Sequence, residues 1–180
     1  MMVRRILIAC AAGAAAAFAG GDAAADTNRD SDVAALVARA TTAHERLMRG
    51  DIIGYRQAID VTPDFVLMDP FGGRPTGAPK SEAHWNRIGR FFREGTAASF
   101  DLVGAYRSTD LIVLVANERA HVAVGSLDAQ EWFLRVTLVF RRDDGAWRLA
   151  HRHADPLVRG IGVEEAARLT LGQGELRIGP

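Results

Sequence analysis

Apolar positions follow two different periods along the chain. Val33, Leu36, Val37, Ala40, His44, Leu47 and Met48 recur at helical spacing. Ser31 is the expected N-cap of this helix, with Asp32 in its first turn, and Gly50 its C-terminal stop. Asp51 can cap a second, short helix through about Ala58, with Pro63 ending it. Phe65 to Met68 reads as a short strand, and residues 69–75 carry two prolines and two glycines, which is turn chemistry. Ser81 can cap a third helix that sets Trp85, Ile88 and Phe92 on one face. From Thr96 the period shortens to two. Ser99–Arg107 and Leu111–Val115 are strand-like, residues 119–125 alternate weakly, and Glu131–Arg142 alternates most clearly. There Leu134, Val136, Leu138 and Phe140 share one face, while Phe133, Arg135, Thr137 and Val139 share the other. Asp143-Asp144-Gly145 turns the chain into a last strand over Ala146–Asp155. A short helix over Val163–Leu171 is expected in the remaining tail, residues 158–180.

Helices followed by a run of antiparallel strands predict an α+β fold, with the helices packed on one face of a bent sheet. The length of 180 residues fits one domain with a substantial core. Lys plus Arg number 22 and Asp plus Glu number 22, so there is no basic excess for nucleic acid or an anionic membrane surface.

Residues 1–25 have the three parts of a secretory signal peptide. Arg4 and Arg5 precede an uncharged apolar run from Ile6 to Ala19, and Ala23-Ala24-Ala25 offers a cleavage site, with Ala17-Phe18-Ala19 as the alternative. The run is too short for a membrane span, which needs about 20 residues. Cys10 is the only cysteine and falls within this leader, so the mature domain is expected to have no disulfide and no thiol chemistry. A periplasmic or secreted protein follows, with a core domain over residues 26–157.

Three stretches resemble a known family. They are the first helix ending in Arg49-Gly50-Asp51, the string Val66-Leu67-Met68-Asp69-Pro70-Phe71-Gly72, and the hairpin from Val139 to His153. In this order they resemble SnoaL-like proteins of the nuclear transport factor 2-like, or ketosteroid-isomerase-like, superfamily. The resemblance implies a cone: a curved antiparallel or mixed sheet wrapped around N-terminal helices, with an internal pocket, commonly dimeric through the sheet. The fold hosts isomerases, cyclases, dehydratases, hydrolases and non-catalytic binders, so it does not choose among them.

Asp69 matches the proton-shuttling carboxylate of the isomerases. It could equally be a structural Asp bonded to the turn that follows it. The isomerases' oxyanion hole is incomplete: by counting, Ala43 stands where a Tyr is expected, beside His44, and Thr137 stands where an acid is expected. If Thr137 faces the pocket, alternation brings Arg135 inward too. The resemblance also turns Ala150, Arg152 and Ala154 inward, so Arg135 and Arg152 could hold an anion bidentately or pair with nearby carboxylates. His44, on the apolar stripe, is a candidate acid/base group or a satisfied core histidine. His151 and His153 share one face of a strand and could join Asp155 at a metal, but the resemblance turns them away from the pocket, and no metal or other cofactor is expected. Trp85, Phe92 and Phe133, with Phe71 and Phe91, could wall a cavity. Trp132 and Trp147 are candidates for a dimer interface on the opposite faces of their strands.

Three functions follow. The first is a pocket protein performing cofactor-independent proton transfer of isomerase, lyase or hydrolase type, with Asp69 as base, Arg135 and Thr137 orienting an oxygen, and His44 or Arg152 assisting. The second is a non-catalytic binder of a small organic anion. The third is a dimerisation or assembly module.

Overall fold

The computed structural model describes the backbone of residues 20–170 and the side chains of residues 30–169. Residues 1–19, with Arg4, Arg5 and Cys10, lie outside the described residues, as do 171–180. The elements run α1 (Gly20–Met48), α2 (Ile52–Ala58), β1 (Val61–Met68), α3 (Glu82–Phe91), β2 (Phe92–Arg107), β3 (Leu111–Val124), β4 (Gln130–Asp143), β5 (Ala146–Pro156) and α4 (Val163–Thr170). The helix α1 begins well before Ser31, which lies inside it rather than at its cap. Within the added stretch Ala23, Ala24 and Ala25 favour helix, while the polar residues from Asp26 to Asp30 do not, which is why the sequence pattern alone places the start at Ser31.

The C-terminus of α1 closes as the sequence predicts. Gly50, at φ +75°, donates its N–H to the Leu47 carbonyl (2.9 Å), and Asp51 donates to the Arg46 carbonyl (2.9 Å). This pair of bonds is a Schellman closure, which needs the left-handed residue that glycine supplies. The Asp51 side chain then accepts from the Gly54 N–H (2.9 Å) and starts α2. Ile59 ends α2, so Pro63 falls inside β1, near its start on a sheet edge, where a missing N–H is tolerated. Ser81 caps α3 by accepting from the His84 N–H (3.2 Å).

The five strands form one curved, open mixed sheet in the order β1-β5-β4-β3-β2. Only β1 and β5 run parallel; the other neighbours are antiparallel. The two segments expected over Leu111–Val115 and 119–125 are one strand, β3. Its inward positions, Ile112, Leu114, Ala116, Glu118, Ala120 and Val122, are all buried. On β4, Leu134, Val136, Leu138 and Phe140 are buried as expected, and they pack with Leu36, Ala40 and Ala43 of α1 in the main core.

The hairpin between β4 and β5 contains a bulge. Phe140 pairs with Leu149 and Val139 with His151, leaving Ala150 as the extra residue. The bulge shifts the parity of β5, so Leu149 is buried before it, and Arg152 and Ala154 point inward after it. Ala150, expected inward, is only half-buried. Trp147 and Trp132 both pack against the main core, which corrects their expected place on an outer interface. No helix among the described residues is long and apolar enough to cross a membrane.

Candidate functional site

A cavity of about 450 Å³ lies between the concave face of the sheet, the α1–α2 corner and α3. Its wall is mostly apolar: Leu47 and Met48 end α1, Val61, Phe65 and Leu67 come from β1, and Trp85 and Ile88 come from α3. Phe71 lies edge-on to Phe91 (5.5 Å between centroids) and beside Trp132 (5.8 Å), while Phe91 meets Phe92 edge-on (5.1 Å). Such tilted and edge-on contacts suit the ring quadrupoles. Phe71 is nonetheless 55% exposed, because it stands on the loop after β1 at the rim.

Asp69 is in this wall, half-buried, at the start of that loop. Its Oδ1 accepts the Phe71 N–H (2.9 Å), which fixes the turn. Among the described residues no cation lies within ion-pair distance of it. His84 and Arg87 of α3 also reach the cavity.

Tyr55 and Arg152 border both this cavity and a second, water-sized chamber of about 30 Å³, lined also by His44, Glu118, Ala40 and Ala43. The Arg152 guanidinium forks onto Glu118, Nη1 to Oε1 at 2.7 Å and Nη2 to Oε2 at 2.6 Å. His44 donates from Nε2 to the Arg119 carbonyl (2.9 Å), and its Nδ1 is 3.4 Å from Glu118 Oε2. Glu118 is 3% exposed and His44 4%. Burial pushes the Glu118 carboxyl up, but the Arg152 guanidinium, seconded by His44, outweighs it, and the net direction is down. Burial pushes the Arg152 guanidinium down; the Glu118 carboxylate outweighs that and the net direction is up. Both groups are therefore held charged. Burial raises the Tyr55 phenol, Arg152 opposes this and Glu118 adds to it. Tyr55 thus remains a hydrogen-bond donor at neutral pH, and among the described residues its hydroxyl has no partner.

The structure brings Asp69, Arg152, Trp85 and Phe92 to one cavity and His44 to the chamber beside it. It does not bring Arg135, Thr137 or Phe133 there. All three sit on the outer face of β4, because the inward positions belong to Leu134, Val136 and Leu138. Arg135 reaches Asp155 (3.5 Å), and Phe133 lies under the Arg119 guanidinium (5.1 Å). His151 and His153 also face outward. His151 meets the Val66 carbonyl through Nδ1 (3.0 Å), and His153 meets Asp155 (3.4 Å). No group of three or more His, Cys, Asp or Glu placed to hold a metal occurs among the described residues. Sequence reasoning missed Glu118 and Tyr55. Glu118 was detectable as a charged residue in an inward slot of an otherwise apolar alternation.

A curved sheet closed by N-terminal helices over an internal cavity defines a cone-shaped pocket protein. The model of the SnoaL-like domain family matches residues 33–158, and the chain belongs to that family. No curated protein matches the chain in sequence. Solved structures share the fold at low identity. A nuclear transport factor 2-like superfamily protein from Salmonella enterica is 14% identical, with a TM-score of 0.59, covering 77% of this chain and 98% of its own. A nuclear transport factor 2-like protein of unknown function from Pseudomonas putida is 22% identical, with a TM-score of 0.52, covering 72% and 87%. A nuclear transport factor 2-like protein from Cytophaga hutchinsonii is 13% identical, with a TM-score of 0.53, covering 72% and 98%.

Proposed function

We propose that the protein holds a small organic molecule in the 450 Å³ cavity, with an oxygen of that molecule against Tyr55, and that Asp69 transfers a proton to and from it. The apolar cavity that meets an unpartnered phenol carries this reading. A volume of this size suits a ligand of small-molecule dimensions. The Tyr55 O–H can donate to a carbonyl or hydroxyl oxygen while the Asp69 carboxylate takes a proton from a neighbouring carbon. That is chemistry of isomerase or lyase type.

Asp69→Asn is the direct test. The amide oxygen can still accept the Phe71 N–H, so the melting temperature should stay close to wild type. Exchange of the α-hydrogens of an aryl methyl ketone in heavy water, followed by NMR, should be accelerated by wild type. The variant should lose about 10²–10⁴-fold of that rate. Ketone binding with no acceleration by wild type would remove the base and leave the binder. The binder reading has its own support, since Asp69 Oδ1 is already engaged in its turn.

Export and dimerisation belong to the same proposal. The leader pattern of residues 1–25 supports export. The outer sheet face, with Val66 and Met68 about two-fifths exposed, supports pairing of two copies. Native mass spectrometry of protein recovered from the periplasm is expected to show twice the mass of a chain starting after Ala19 or Ala25. Full-length protein confined to the cytosol would overturn export, and a monomer mass would overturn pairing.

A further inference from the structure

We infer that Glu118 is a selectivity residue that makes the cavity take uncharged, oxygen-bearing ligands and refuse carboxylates. The inference rests on the pocket reading above and names the ligand class of that site. Among the described residues Arg152 is the only cation on the sheet side of the cavity wall, and taken alone it would invite an anion. Its two terminal nitrogens are already committed, one to each Glu118 oxygen. Glu118 is buried behind it, away from water, and His44 stands against the same carboxylate. A carboxylate ligand entering here would lose its hydration and meet a cation whose charge is cancelled at 2.6–2.7 Å. It would also feel the Glu118 charge behind the guanidinium. A ketone or alcohol oxygen loses far less on entry and can use the Tyr55 O–H. The two remaining basic groups of the wall, His84 and Arg87, belong to α3 across the cavity; Arg87 is exposed, so its charge is screened by water.

The opposite charge state is one substitution away. Glu118→Gln removes the negative charge and leaves Arg152, with His44 beside it, as an uncompensated buried cation facing the cavity. A bound anion then supplies the missing partner.

The test uses two probes of matched shape, 2-acetonaphthone and 2-naphthoate, titrated at pH 7 and read by calorimetry. Wild type is expected to bind the ketone at least tenfold more tightly than the carboxylate. Glu118→Gln, checked for folding by circular dichroism, should reverse that preference. Glu118→Gln combined with Arg152→Gln removes both charges and should restore it, which also covers a single variant that fails to fold. Equal binding of the two probes by wild type, or tighter binding of the carboxylate, overturns the inference. So does a folded Glu118→Gln that keeps the wild-type ratio. If wild type binds neither probe, the pocket reading itself fails and the inference goes with it.

Discussion

Arg152→Met should destabilise the protein by about 3–5 kcal/mol at neutral pH, the cost of leaving a buried carboxylate without its partner. Glu118 is 3% exposed, and among the described residues the other basic side chain beside it is His44, at 3.4 Å. Urea denaturation across a pH series separates this from a simple packing loss. In wild type the Glu118 carboxyl is held below its ordinary value of 4.5. It therefore adds stability above about pH 4.5, and that contribution is lost as pH falls through the lowered value. Without Arg152, burial dominates and the same carboxyl moves upward, so the variant binds a proton on folding. The difference between variant and wild type should then be largest at neutral pH and shrink as the medium is made acidic. A penalty that stays constant from pH 7 to pH 4 would mean that the methylene packing of Arg152, and not its charge, is what matters.

Gly50→Ala is expected to cost about 2–5 kcal/mol, from two sources that add. The residue sits at φ +75°, where a Cβ costs roughly 1–2 kcal/mol. That Cβ would also stand 2.5 Å from the Gly89 carbonyl oxygen and 2.7 Å from that of Phe92. Overfilling a packed site typically costs about 1–3 kcal/mol, and backbone atoms yield least. The contact joins the end of α1 to α3 and the first residue of β2, beside the cavity residues Met48, Ile88 and Phe92. Probe binding should therefore weaken along with stability. Gly104→Ala is the matched control. A Cβ there meets nothing within 4 Å, so thermal denaturation should change by no more than about 0.5 kcal/mol.

The elements were legible in the sequence where a local signal set them. Gly50, Asp51 and Ser81 each bound a helix end in the structure, and the alternation of Leu134 through Phe140 chose the buried face of β4. That same alternation argued against an inward Thr137 and Arg135. A count back from Gly145 sets Thr137 where the family has an acid, but a count along the chain carries no information on which way a side chain points. The bulge at Ala150 is set by pairing with β4, so strand parity within β5 alone could not show that Leu149 and Arg152 share a face. Where the expected segments Leu111–Val115 and 119–125 meet, the chain carries the polar triplet Asn117-Glu118-Arg119. Its outer members are half-buried and exposed, and Glu118 becomes tolerable inside only because Arg152, 34 residues later, arrives to pair with it. Asp69 and the aromatic wall were visible as residue types. The chamber was not, since it is formed by five elements meeting, α1, α2, β3, β4 and β5, with Ala40 and Ala43 leaving the space.

The parallel pairing of β1 with β5 has a consequence for the order in which the molecule closes. β1 is an edge strand whose one strand neighbour is β5, with an isolated bridge from Leu67 to Thr76 on its other side, and its contact from Val66 to His151 spans 85 residues of chain. The antiparallel meander of β2 to β5 joins partners that follow one another directly. Contacts of long sequence separation form late because a long loop must be closed first. A singly supported edge is also where a native structure opens first. Leu67 and Asp69 extend from this strand into the cavity wall. The wall is thus built from the last strand to arrive and the first to leave, and a ligand seated against it would act as a clasp on the edge of the sheet.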